Sequence, residues 1–232
     1  LVNMDEKLKQ NPLDSPLGIE HTRWATHGVP SEVNSHPHFD NDMEIAVVHN
    51  GIIENYQELR EELKKGGANF RSQTDTETIA HLVRKYYQGD LFAAVKRALQ
   101  DVEGAYAIGV VCKKNPDVMV AARHGSPLIV GLGEGEAYIA SDVPAIMKYT
   151  RKVLYIDNGQ VCEIRRDGYK IEDLKGNPVT LEVKTVDWDD SAGVMGKAEE
   201  EWRELKGEIG NTGTREALPE ADRDQEKTAM EF

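Results

Sequence analysis

Apolar and polar positions follow two periods along the chain, helical in its first half and extended in its second. "MEIAVVHNGII" (43–53) is an apolar run broken by Asn50-Gly51. It predicts a strand followed by a tight turn, because Asn-Gly is the favoured hairpin dipeptide. "NYQELREELKKGG" (55–67) then reads as a helix, with Asn55 at its start, Glu58 three residues on and glycines at its end. "TDTETIAHLVRKYYQGD" (74–90) repeats that signature, with Thr74 or Asp75 as cap, Glu77 near the first turn and Gly89 at the stop. A third helix, "LFAAVKRALQDVEG" (91–104), puts Leu91, Ala94, Val95, Ala98, Leu99 and Val102 on one face.

From Ala105 the period becomes extended. "AYAIGVVCKK", "VMVAARHG", "PLIVGLG", "AYIASD", "KVLYIDNG" and "QVCEIRRDG" read as short strands, separated by Asn-Pro-Asp, Gly-Glu-Gly-Glu and Asp-Asn-Gly turns. Several of these runs are apolar on both faces, which predicts a sheet covered on both sides. Grouped helices followed by hairpin strands point to an α+β fold with antiparallel sheets. The first 20 residues suggest a short helix running into a polar loop. At the other end, residues 193–232 hold eleven Asp/Glu against six Lys/Arg. An exposed helix with disordered flanks is expected there, not a domain.

Composition narrows the function classes. Across 232 residues the net charge is −13, which argues against sequence-independent nucleic-acid binding. No apolar run approaches the roughly 20 residues needed to span a bilayer, and Leu1 opens no signal-peptide pattern, so no membrane partner is expected. Two cysteines cannot build a disulfide framework, and a cytoplasmic location is the expectation. Cys112 and Cys162 both fall inside apolar strand patterns and read as inert core residues.

Chemistry concentrates in "HTRWATHGVPSEVNSHPHF" (21–39), which holds four of the seven histidines. His36-Pro37-His38, with Asp40 and Asp42 nearby, raises a metal centre. No third and fourth ligand follow at a recognisable spacing, and polar loop histidines are the competing reading, for His38 in particular. An anion clamp is better motivated. The planar guanidinium of Arg23 can grip a carboxylate in two parallel bonds, with donors from His21, Thr22, Thr26 and His27 and an apolar wall from Trp24. A structural salt bridge is the plainer alternative for Arg23 alone. Asn50-Gly51 is either a turn or an oxyanion hole built from a side-chain amide and a glycine N–H. Asp75 is either a helix cap or a carboxylate that holds a ligand's ammonium.

"HTRWATHG", "VNSHPH", "VVHNGIIENYQELREEL", "TDTETIAHL", "GAYAI", "RHGSPLIVGLG" and "YIASD" occur in the order seen in the glutaminase domain of glutamine–fructose-6-phosphate aminotransferases. These are class II glutamine amidotransferases, and the resemblance spans residues 1–192. It implies an N-terminal-nucleophile hydrolase-like fold, a four-layer αββα sandwich truncated here at its N-terminus. It assigns Arg23 to the α-carboxylate of L-glutamine, in a loop from Arg23 to Gly28 that closes over the substrate. Trp24, Thr26 and His27 join the substrate site, and Trp24 helps to guide ammonia. Asp75 and the backbone of Gly51 hold the α-amino group; Asn50 and the Gly51 N–H form the oxyanion hole. His36 resembles a histidine near a domain interface. No cofactor is implied.

The family's attacking group is a cysteine at the mature N-terminus, in a "CGI" segment upstream of the histidine motif; residue 1 here is leucine. The sugar-phosphate isomerase domains of the family also find no counterpart in residues 193–232. The expectation is a partial glutaminase domain that binds glutamine but is inactive alone, and that self-associates or forms a homo-oligomer through its uncovered surface. A non-catalytic glutamine-binding or regulatory remnant, part of another class II amidotransferase, and a metal-dependent hydrolase remain the alternatives.

Overall fold

The computed structural model describes residues 7, 9–10, 12, 15–23 and 27–186. The 193–232 tail, most of the expected N-terminal helix, and Trp24 and Thr26 lie outside them. Among the described residues no helix is long and apolar enough to cross a membrane.

The apolar run around Val47 forms the strand that organises the molecule. β2 (Ile45–Ile53) pairs over its whole length with β3 (Gly104–Cys112), which continues into β4 (Asn115–His124). β8 (Gln160–Arg165) and β9 (Gly168–Asp173) extend this sheet on one side. The two-residue β1 (His38–Phe39) extends it on the other, giving the order β1-β2-β3-β4-β8-β9. A second sheet runs β10 (Lys184–Thr185), β7 (Lys152–Tyr155), β5 (Ile129–Leu132), β6 (Ala137–Ala140). Every strand pair in both sheets is antiparallel among the described residues.

Side chains alternate across a strand, so each face of the six-stranded sheet has its own core. Ile45, Val47, Ile53, Ile108, Val110 and Val120 pack against α1 (Tyr56–Lys65), α2 (Thr76–Tyr86) and α3 (Leu91–Leu99). Ala107, Met119, Ala121 and Cys162 face Leu128, Val130 and Leu154 on the side of the second sheet. The expected double coverage is present. Beyond the second sheet, the 3-10 turn Val143–Ala145 and the residues after it occupy the place of the fourth layer. There Gly131 admits Ile146 and Thr150, whose tips would lie 2.6 and 2.8 Å from any Cβ.

Three local expectations are corrected. Asn50-Gly51 is not a turn, because β2 runs through both residues to Ile53. Gly51 instead has φ +127°, and a Cβ there would sit 2.1 Å from the Ala105 carbonyl oxygen. Close backbone approach demands the glycine. Asn-Pro-Asp (115–117) is not a turn either: the β3–β4 connection is Lys113-Lys114, and β4 starts at Asn115. Asn55 stands at the start of α1 as expected, but with no side-chain cap bond; its amide bonds the Asp101 carbonyl (2.9 Å) and the Glu103 N–H (3.0 Å) across the β2–β3 end. The stretch around His38, read as loop, contributes β1.

Candidate functional site

The outer edge of β2 carries the candidate chemistry. N–H groups two residues apart leave a strand on the same side, and here the odd-numbered ones point away from β3. The Ile45 N–H donates to Asp40 Oδ1 (3.0 Å), the His49 N–H to His36 Nδ1 (3.2 Å) and the Ile53 N–H to Asp75 Oδ2 (2.9 Å). Beyond β1, which pairs only with Ala46 and Val47, side chains replace a neighbouring strand. The Gly51 N–H lies on this edge between those of His49 and Ile53. None of the described side chains accepts from it.

Asp75 is brought here by the start of α2. Its Oδ1 accepts the Thr76 N–H at 3.0 Å while Oδ2 holds Ile53, so it is both a helix cap and a strap on the strand. It is 3% exposed, with His27 Nδ1 at 3.9 Å and His49 Nδ1 at 4.0 Å. Both readings of Asp75 therefore survive, since a carboxylate with two accepted bonds keeps further acceptor sites. His49 is buried against α2, its Nδ1 2.9 Å from Thr76 Oγ1, and burial pushes its imidazole below the usual range.

Arg23 lies in the left-handed region at φ +53°. Its Nη2 donates to the carbonyls of His27 (2.7 Å) and Gly28 (2.9 Å), so the guanidinium closes its own loop. A ligand carboxylate has to share or displace these carbonyls. The Arg23 N–H donates to His21 Nδ1 at 2.8 Å, and His21 Nε2 is 2.7 Å from Asn50 Oδ1. The Arg23 loop is thus wired to β2 through one imidazole. Thr22 is exposed.

The remaining histidines brace the same edge. His36 stacks on His21 with centroids 4.3 Å apart and meets His38 edge-on at 4.9 Å. Burial, then the neighbouring His21, His38, His49 and Arg23, push His36 down to about 2. Burial likewise brings His38 to about 4, and its Nε2 is 3.0 Å from Thr74 Oγ1. The metal reading gains nothing from this geometry. Asp40 Oδ1 ties the β1–β2 turn through the Glu44 and Ile45 N–H groups, and Asp42 pairs with Arg84. Among the described residues no three His, Cys, Asp or Glu side chains group as ligands. The two cysteines are apart from the site: Cys112 packs on the helix side of the sheet and Cys162 between the sheets. Burial drives the Cys162 thiol up to about 12.

Two site residues escaped the sequence reading. Asn34, 1% exposed, accepts the Gln73 N–H (2.9 Å) and donates to the Val29 carbonyl (3.0 Å), joining the Arg23 loop to the segment before Asp75. Glu77 is no ordinary first-turn acid. Its carboxylate receives the Arg71 and Ser72 N–H groups, both at 2.7 Å, and the Ser72 hydroxyl at 2.6 Å. Burial alone would raise it, but His81 and these donors outweigh that and hold it down to about 2. The "VNSHPH" and capping signatures marked both places without revealing these roles.

Comparison with known proteins places this edge in context. A glutamine amidotransferase domain model matches residues 21–148. The glutamine–fructose-6-phosphate aminotransferase [isomerizing] of Clostridium perfringens is 50% identical over 200 residues, covering 86% of this chain and 33% of the relative. That of Thermus thermophilus is 53% identical over 183 residues, covering 79% and 30%. The chain spans about a third of the length of these relatives. Among solved structures, the glutamine phosphoribosylpyrophosphate amidotransferase of B. subtilis, complexed with ADP and GMP, superposes with a TM-score of 0.56 at 28% identity. That match covers 68% of this chain and 35% of the other. An allosteric regulatory enzyme of purine biosynthesis gives 0.52, also at 28% identity, covering 61% and 31%.

Proposed function

The chain belongs to the glutamine amidotransferase domain family, and from that premise we propose that it is the glutamine-binding part of an isomerising glutamine–fructose-6-phosphate aminotransferase. The reaction of such an enzyme moves the amide nitrogen of L-glutamine onto fructose 6-phosphate, giving glucosamine 6-phosphate and glutamate. Residues 1–192 are the glutaminase part, 193–232 are not counted in it, and the sugar phosphate is handled elsewhere in the longer relatives.

The observation that carries this reading is the outer edge of β2, where Arg23, Asn50, Gly51 and Asp75 meet within one hydrogen-bonded framework. Arg23 takes the α-carboxylate by exchanging loop carbonyls for a stronger, charged acceptor, and the loop closes over the ligand with Trp24, Thr26 and His27. Asp75 and the Gly51 backbone take the α-ammonium. Asn50 Nδ2 and the Gly51 N–H face the oxygen of the side-chain amide, where negative charge develops on attack at its carbon. The attacking thiol is neither Cys112 nor Cys162, since each is buried in a different core. On this reading the 232 residues bind glutamine, and neither of their cysteines attacks it.

Calorimetry with L-glutamine tests this. Binding that falls at least tenfold in Arg23→Ala, consistent with about 1.5–3 kcal/mol for a charged hydrogen bond, supports the reading. Binding indifferent to Arg23, or to replacement of L- by D-glutamine, sinks it.

A further inference from the structure

We propose that His21 is a positioning residue that fixes the amide of Asn50 and couples it to the backbone of the Arg23 loop. This rests on the glutamine reading only in giving Asn50 something to act on.

The inference follows from which atoms can donate. A backbone N–H has no lone pair, so the 2.8 Å contact from the Arg23 N–H makes His21 Nδ1 an acceptor. The ring is then neutral and its one proton is on Nε2. That proton is directed at an atom 2.7 Å away on the Asn50 amide. Facing a donor, the amide must present its oxygen, which turns Nδ2 away from His21. An Asn amide is otherwise free to flip, and a flipped Asn50 would offer a developing oxyanion an acceptor, not a donor. The tautomer of one ring thus decides the sign of the group beside Gly51.

Two further contacts hold the ring in place. His21 lies flat on His36, with an interplanar angle of 19°, and His36 is itself anchored to β2 by the His49 N–H. The Arg23 N–H reaches back to Nδ1 from a residue in the left-handed conformation, φ +53°. Any rearrangement that re-aims the Arg23 guanidinium onto a carboxylate passes through the same residue. A change at the clamp is felt at Asn50 through two hydrogen bonds.

The test reads the wiring directly on the 232-residue chain. In a two-bond imidazole 1H–15N correlation, His21 should show the Nε2–H tautomer at neutral pH without any ligand. His21→Phe, which keeps a flat ring over His36 but neither nitrogen, should shift both Asn50 side-chain amide resonances. His21→Gln, which restores a donor, should return them towards their original positions. A Nδ1–H or cationic His21 in the native chain, or Asn50 resonances unmoved in His21→Phe, overturns the proposal. Calorimetry keeps the two readings separate: absent glutamine binding with an Nε2–H ring and a responsive Asn50 rejects the substrate and leaves the wiring. Intact binding with an unresponsive Asn50 does the reverse.

Discussion

β2 and β8 are the second strands in from opposite ends of one six-stranded sheet, yet they do opposite things. β8 is paired throughout, with β4 on one side and all six of its residues matched by β9 on the other. Its buried Cys162 has no route to chemistry. β2 is fully paired only toward β3; on its other side β1 covers two residues, and His36 and Asp75 satisfy N–H groups further along. Where side chains stand in for a strand, the backbone becomes addressable. An incomplete edge, backed by the six-stranded sheet, is what suits β2 to the proposed ligand site and β8 to a purely structural place.

The largest effect should come from Gly51. At φ +127° an alanine is strained, and its Cβ would press on the Ala105 carbonyl, which belongs to paired backbone and cannot yield. Denaturant unfolding of Gly51→Ala should show a loss of about 3 kcal/mol or an unfolded chain. Gly109→Ala meets only the tips of Ile139 and Val48 and should cost far less. Equal costs at the two glycines would break the contrast between a strand shaped by backbone approach and one shaped by packing.

Asp75 should come next. Asp75→Ala leaves the Ile53 N–H unpaired in a buried place and removes the α2 cap, a combined loss of about 2–4 kcal/mol. Asp75→Asn retains an acceptor and should recover a large part of it while still failing to hold an ammonium. If thermal melts rank the two variants equally, the strap role of Asp75 is wrong.

Much of this was legible in advance and some was not. The three helices were visible because their buried faces repeat at helical spacing, Leu91 to Leu99 being the clearest case. β1 was not, because two residues in "HPHFD" carry no period, and β9 was passed over because Ile171 is its only buried residue. Asn50-Gly51 was misread for a physical reason. The dipeptide signals positive φ, but the cause lies in Ala105, far along the sequence. Arg23 and Asp75 each had a plain local explanation; Asp75 does cap α2, whereas Arg23, expected in a salt bridge, closes its own loop on the His27 and Gly28 carbonyls instead. Only the order of motifs along the chain pointed to a shared site. Asn34 lay in the marked "VNSHPH" stretch, but its role was hidden because its partners, Gln73 and Val29, lie on two different segments.

Acid should weaken the β2 edge before the rest. Unfolded, His38 takes a proton near pH 6.5; folded, it does so only at about 4, and His36 only at about 2. Between those values the unfolded chain holds more protons, so their contribution is complete above pH 6.5 and drains away as the pH falls. Glu77, held at about 2, adds a further loss below the ordinary range near 4.5. His38→Gln should flatten the stability slope between pH 6.5 and 4 by about one proton. An unchanged slope would remove His38 from the account.

The smallest effect should be at β8. Cys162→Ala should cost about 1 kcal/mol and leave ligand binding untouched. Its thiol, pushed up to about 12 by burial, should resist a thiol reagent at neutral pH until denaturant is added. Rapid native labelling of Cys162 would contradict the closed, fully paired picture of this strand.

The most direct test watches the two strands together. Backbone 1H–15N correlation spectra of the chain should be recorded as L-glutamine is added, following Gly51, Ile53 and the Asn50 side-chain amide against Cys162 and Glu163. The account predicts saturable shifts at Gly51 and Asn50, smaller ones at Ile53 and none along β8. Shifts confined to other parts of the chain, with Gly51 unmoved at concentrations that saturate binding, would contradict the claim that the unpaired edge of β2 is where glutamine is held.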